Sequence, residues 1–238
     1  MVNAVQPYTP QFLFNQAHRT APTREYLYSF ANWNEAPLSL DIGCGTGFIT
    51  SELTSNATYA HAIGIDIDSA LLSNAQANNP HNVRLNWLLS DAMALPFRSS
   101  IFSFVISHFT LMWISQSHTA ISEAYRILRP KGLFTAIEPD YSGRIEGPGD
   151  QNQKQRYPIT DWLIRKGANP FLGGQLPFEQ HIAGFSHITF GVLAWEYHSD
   201  MATEEIQNEA DLLQADGIRW EKPRFTYTPI FWTKAIKE

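Results

Sequence analysis

The chain has 238 residues, enough for one well-buried α/β domain with small additions. Hydrophobic residues make up 44% and charged residues 17%, with a formal net charge of −6, so the chain reads as globular and its main partner is expected to be neither nucleic acid nor an anionic membrane. No apolar run approaches the roughly 20 residues that span a bilayer, Met1 to Pro10 lack a signal-peptide pattern, and the single cysteine, Cys44, rules out an internal disulfide, so the expected location is the cytoplasm.

Along the chain, short β-like runs alternate with helical periodicity, the pattern of βαβ units and a parallel sheet. Residues 1–35 read as a helical, aromatic cap over the mouth of a site. Residues 36–138 then carry five apolar runs: Leu38–Ile42, His61–Ile67, Val83–Leu89, Phe102–His108 and Leu133–Glu138. Their near-continuous apolar character fits strands covered on both faces. Helices are expected at Thr46–Ser55, Ser69–Asn78 and Ser117–Leu128, the second capped by Asp68 and the third stopped by Pro130. Residues 139–238 read as the substrate side. Pro139 to Asp150 and Asn169–Phe178 are rich in Pro and Gly and read as loops. Asn152–Lys166, Glu179–Ala183 and Thr203–Ala215 read as helical, and Ile188–His198 and Phe225–Ile236 as two late strands forming an antiparallel edge. The expected fold is a doubly wound, seven-stranded, mostly parallel sheet with an antiparallel last strand, in a single domain.

The most informative segment is Leu40-Asp41-Ile42-Gly43-Cys44-Gly45-Thr46-Gly47, at the junction of the first strand and its helix. Glycines there permit a sharp turn and close approach to a ligand, and the helix that follows aims free N–H groups at it. The dinucleotide pattern would put a third glycine at position 48, where this chain has Phe48. Asp41 would repel a pyrophosphate but favour a ligand carrying an ammonium and a sulfonium. About twenty residues further on, Asp66 ends the second strand, where an acid accepts hydrogen bonds from ribose hydroxyls. Asp91 follows the third strand and suits an exocyclic adenine amine, with Ile67 and Ala92 as walls around the ring. Each acid alone is explained as a helix cap or turn residue; three acids after three successive strands are not.

These stretches, together with Asp91-Ala-Met-Ala-Leu-Pro-Phe97 and Glu123-Ala-Tyr-Arg-Ile-Leu-Arg-Pro-Lys-Gly-Leu133, resemble the class I S-adenosylmethionine-dependent methyltransferases over residues 38 to 138. The resemblance is strongest to small-molecule enzymes of the quinone-biosynthesis and malonyl-carrier-protein types. Ser103 stands where the family often has an acid, and Lys131 where it often has a glycine. The resemblance implies S-adenosyl-L-methionine as cofactor, held by Asp41, Gly43, Cys44, Gly45, Asp66, Ile67, Asp91 and Ala92. Ser107 falls where the family approaches the methionine part, and Arg19 is a candidate for its carboxylate.

The chemistry implied is in-line attack on a sulfonium methyl group, which needs alignment and exclusion of water more than a strong base. His108, at the end of the fourth strand, is the candidate base, with Tyr141 as a hydrogen-bond donor. Phe14, His18, Trp113, Glu138 and Arg144 are candidates for binding a small-molecule or peptide-like acceptor, Arg144 by clamping a carboxylate. No clustered metal ligands are found. An oxygen acceptor is expected, a carboxylate being attractive because it is already ionised. The alternatives are nitrogen or carbon methylation, a cofactor-binding but inactive module, or a nicotinamide-dependent oxidoreductase; the sequence is silent on oligomeric state.

Overall fold

The computed structural model describes residues 9–31, 38–55, 60–147, 157–193, 199–220, 222–223 and 225–238. In chain order its elements are α1 (Pro10–Arg19), α2 (Ala21–Tyr28), β1 (Leu38–Ile42), α3 (Phe48–Leu53), β2 (His61–Asp66), α4 (Ser69–Asn78), β3 (Leu85–Leu89), β4 (Phe102–His108), α5 (Ser117–Ile127), β5 (Leu128–Pro139), β6 (Ile145–Gly147), α6 (Pro158–Arg165), α7 (Leu172–Ile182), β7 (Ser186–Val192), α8 (Ser199–Ala215), β8 (Phe225–Tyr227) and β9 (Ile230–Ile236). Parts of the expected cap, of the 139–150 loop, of the 152–166 helix and of the 188–198 strand lie outside the described residues.

Seven strands form one sheet in the order β3-β2-β1-β4-β5-β9-β7. Strands β1 to β5 pair in parallel, and β9 runs antiparallel to both its neighbours. The expected fold class is therefore the one found. All seven residues of β4 are buried, as a central strand covered on both faces requires. Its side chains alternate between two cores. Val105 packs with α5, α6 and α7, while Phe104 and Ile106 pack with Ala17, Tyr28 and Leu53 of α1, α2 and α3. The strand order reverses between β1 and β4, and the crevice at their C-terminal ends is where open α/β sheets bind ligands.

The two late strands form the expected antiparallel edge. The edge strand is β7, and β9 is inserted between it and β5. The expected strand over 225–236 breaks at Thr228-Pro229, because proline has no N–H to give to a ladder. Its first part, β8, leaves the main sheet and pairs with β6, inside a segment read as loop. The fifth strand begins five residues early. It pairs at Leu128, bulges through Pro130 and the left-handed Lys131, and resumes pairing at Leu133.

The largest correction is α7, where Gly173, Gly174 and Pro177 read as a loop. Leu172, Leu176 and Gln180 form a buried stripe at helical spacing, and this burial outweighs the weak local propensity. Gly173 is required because a Cβ there would sit 2.9 Å from the carbonyl oxygens of Glu138 and Pro139. The Asp140 carboxylate accepts from the Gly174 N–H at 2.7 Å, satisfying a first-turn donor of the helix. The helix is thus fastened to the active end of β5.

Candidate cofactor cradle and acceptor cleft

The turn after β1 is shaped by steric necessity. Gly43 has φ +72°, and a Cβ there would overlap the Thr110 side chain. Its N–H and that of Cys44 both donate to Ile65 O, at 2.8 and 2.9 Å, which locks the turn onto β2. The Gly45 N–H donates to Asp66 Oδ2 at 2.9 Å, and the Asp68 N–H donates to Oδ1 at 2.9 Å. Asp66 is therefore fixed in orientation, with lone pairs left on both oxygens.

Asp41 is buried and accepts from Thr50 Oγ1 at 2.6 Å. Burial is the chief reason its pKa rises to about 7, and the neighbouring Asp66 adds to the rise. Asp66 is also raised, again mainly by burial. Two buried acids that resist ionisation form a site in which a cationic ligand is stabilised. An ammonium-bearing sulfonium nucleoside fits this donor set.

Beyond the cradle a cleft runs between α1 and α8. Asp41, Gly43, Cys44 and Gly45 line it together with Met112, Trp113, Tyr141, Ile159, Asn208 and Leu212. His108 lines it as well. It is buried, and Nε2 sits 2.7 Å from Thr20 Oγ1. Burial, then the cations Arg24 and Arg19, hold its pKa well below the usual histidine value, so the imidazole is neutral. Phe109 follows at φ +51°, an uncommon conformation for an aromatic residue. This strained turn is pinned from β5: Glu138 Oε1 accepts from the Thr110 and Leu111 N–H groups at 2.9 and 2.7 Å.

The helical cap is anchored by a buried arginine that the sequence reading passed over. Arg24 is fully buried; Nη2 and Nε donate to the two Glu52 oxygens at 2.6 and 2.9 Å. Its Nη1 donates to Ala17 O at 2.6 Å and to Thr20 Oγ1 at 2.5 Å. The chain Glu52–Arg24–Thr20–His108 thus ties α3, α2 and β4 together at the cleft.

A family described as a methyltransferase domain matches residues 40–136. A ubiquinone/menaquinone biosynthesis C-methyltransferase of Dinoroseobacter shibae is 34% identical over 121 residues, 50% of this chain and 47% of that protein. Over residues 40–136 the chain is thus similar to the class I S-adenosylmethionine-dependent methyltransferases. The cofactor these similarities support is S-adenosylmethionine. A malonyl-[acyl-carrier protein] O-methyltransferase of Halorhodospira halophila is 28% identical over 147 residues, 57% of this chain and 50% of that protein. The chain spans about half the length of these curated relatives. Haemonchus contortus phosphoethanolamine N-methyltransferase 2, solved with phosphomonomethylethanolamine and S-adenosylhomocysteine, superposes with a TM-score of 0.72 at 16% identity. It covers 98% of this chain and 59% of that one, and at this identity the likeness is one of fold.

Asp41, Gly43, Cys44, Gly45 and His108 face one cleft, joined by Arg19 from the cap and by Trp113 and Tyr141. Asp66 lies behind Gly45. Ile67 is 61% exposed at the rim, and Asp91 accepts from the Met93 N–H at 2.8 Å in a turn after β3, with Ala92 half-buried beside it. Ser107 is fully buried and its hydroxyl has no partner. Phe14 and His18 stack on each other at 6.1 Å outside the cleft, because α1 turns Phe12, Leu13, Gln16 and Thr20 inward instead. Glu138 lies beneath the cleft wall as a brace for the β4 turn and does not line it. Arg144 is buried too, its guanidinium bonded to Glu209, Glu146 and Thr228. Asn208, Glu209 and Leu212 of α8 were missed; only their contact with the cleft distinguishes them from other residues of an amphipathic helix.

Proposed function

We propose that this protein transfers the methyl group of S-adenosylmethionine to an oxygen of a small-molecule acceptor. One observation carries the reading: a cradle with two reluctantly ionised carboxyls opens directly into a cleft with aromatic and aliphatic walls. In this reading Asp41 receives the cofactor's ammonium, the Gly43–Gly45 backbone packs against it, and Asp66 accepts from the ribose hydroxyls. Asp91 takes the adenine amine, Ile67 and Ala92 flank the ring, and Ser107 and Arg19 lie toward the methionine end. When bound, the cofactor supplies an electrophilic methyl group on a sulfonium, whose carbon–sulfur bond breaks with the electron pair left on sulfur.

The acceptor lies between Trp113, Tyr141, Ile159 and Leu212, on a side of the cleft built largely from residues 139–238. Tyr141 orients it by a hydrogen bond. Neutral His108 accepts a hydrogen bond from the acceptor hydroxyl and so orients its oxygen toward the methyl group. Because burial and two arginines disfavour an imidazolium there, the hydroxyl proton is released to solvent as the new oxygen–carbon bond forms. A hydroxyl acceptor fits this arrangement better than a carboxylate, since Arg144 is already engaged by Glu209. The net charge of −6 likewise favours a small molecule over nucleic acid.

The test is a thermal-shift titration with S-adenosylmethionine and S-adenosylhomocysteine. Ligand at 100 times its dissociation constant adds roughly 2.7 kcal/mol of stability. Asp66→Ala is expected to lose most of that gain. An unchanged gain in the variant means that Asp66 does not hold the ribose.

A further inference from the structure

Arg144 lies behind the cleft wall as an anion-binding group would, yet four of its five donors are engaged from within. Nη1 and Nη2 make a bidentate pair with Glu209 Oε1 and Oε2 at 2.9 and 2.5 Å; Nη1 also donates to Thr228 Oγ1 at 2.8 Å, and Nε to Glu146 Oε1 at 2.9 Å. The guanidinium also lies 5.6 Å from the ring centres of both Tyr141 and Tyr157. Glu209, Thr228 and Tyr141 face the cleft, while Arg144 lies behind them. The Arg144 side chain is fully buried and that of Glu209 is 7% exposed.

We propose that Glu209 is a specificity-determining residue: it fills, from within the chain, the carboxylate site that Arg144 would otherwise offer to an acceptor, so that the cleft selects uncharged acceptors. This rests on the reading that the cleft holds a methyl acceptor. The geometry is that of carboxylate recognition, a planar fork meeting two oxygens side by side. A carboxylate acceptor entering the cleft would have to displace Glu209 into the field of Glu205 and Glu146. An acceptor without charge meets Asn208, Tyr141 and the apolar walls, and leaves the pair intact.

Removing Glu209 while keeping Arg144 converts the proposal into a binding measurement. In Glu209→Ala, acetate and propionate are expected to restore thermal stability in a saturable way, by about 3 °C or more at ten times their dissociation constant, while acetamide does not. The unsubstituted protein is expected to show no such response. The double variant Glu209→Ala/Arg144→Met is expected to lose it. If Glu209→Ala fails to fold, Glu209→Gln keeps the shape of the side chain with weaker bonds. In that variant with S-adenosylhomocysteine present, benzoate is expected to bind at least tenfold more tightly than to the unsubstituted protein, and benzyl alcohol equally to both. Carboxylate binding unchanged by either substitution overturns the proposal, as does rescue by acetamide equal to that by acetate. The shift with S-adenosylhomocysteine alone is recorded in parallel. Its absence sinks the cofactor reading while leaving the acetate rescue to decide the role of Glu209.

Discussion

Replacing Asp41 by asparagine tests whether this buried carboxyl serves cofactor binding at the expense of stability. Its native pKa of about 7 lies well above its ordinary value of 3.8, chiefly through burial. Between about pH 4 and 7 the folded protein keeps a proton that the unfolded chain has released. Stability from this group is therefore full at low pH and is lost as pH rises through 7. At 1.36 kcal/mol per unit the loss is about 4 kcal/mol over that window. The substituted amide cannot ionise, yet it still accepts from Thr50 Oγ1. The variant without ligand is therefore expected to lack this decline between pH 5 and 7. Binding moves the other way. An ammonium is attracted only to ionised Asp41, so affinity for S-adenosylhomocysteine should rise about five-fold from pH 6 to 7, the ratio of ionised fractions at a pKa near 7. Calorimetry at pH 6.5 in two buffers of different ionisation enthalpy should detect the released proton. In Asp41→Asn the proton release and the pH slope should vanish, and the dissociation constant at pH 7 should weaken by about 10- to 100-fold. Equal affinity and an equal pH slope in the two proteins would refute the assignment.

Two further substitutions probe the frame of the site. Gly43→Ala puts a methyl group into the Thr110 side chain at a positive φ, so about 1–3 kcal/mol of destabilisation is expected by chemical denaturation, with cofactor affinity lost disproportionately. Arg24→Met leaves Glu52 without its bidentate partner and frees the cap from β4. A loss of about 3 kcal/mol is expected, with faster proteolysis within α1 and α2, and retention of full stability would show the buried pair to be unimportant.

The residues of the proposed cradle were legible in the sequence because they belong to local elements. Asp41, Gly43 and Gly45 belong to one strand–turn–helix unit, and Asp66 and Asp91 follow the next two strands of the same parallel succession. Apolar runs of five to seven residues fixed most of those strands to within a residue or two. What the residues of one segment do to each other can be read along the chain, since strand period and turn chemistry are short-range properties.

The acceptor end was decided by contacts that no local pattern encodes. Gly173 and Pro177 suggested a loop, but a buried stripe and the Asp140 carboxylate made a helix of that segment. Arg144 read as a free clamp until α8, 65 positions further along the chain, laid Glu209 across it. Glu138 read as a candidate for binding the acceptor until folding placed it under the β4 turn. His108 was identified in sequence, but its neutrality comes from burial and from Arg24 and Arg19 on the cap packed against it. Charge states and buried pairs depend on distances between remote segments, and only the tertiary structure sets those distances.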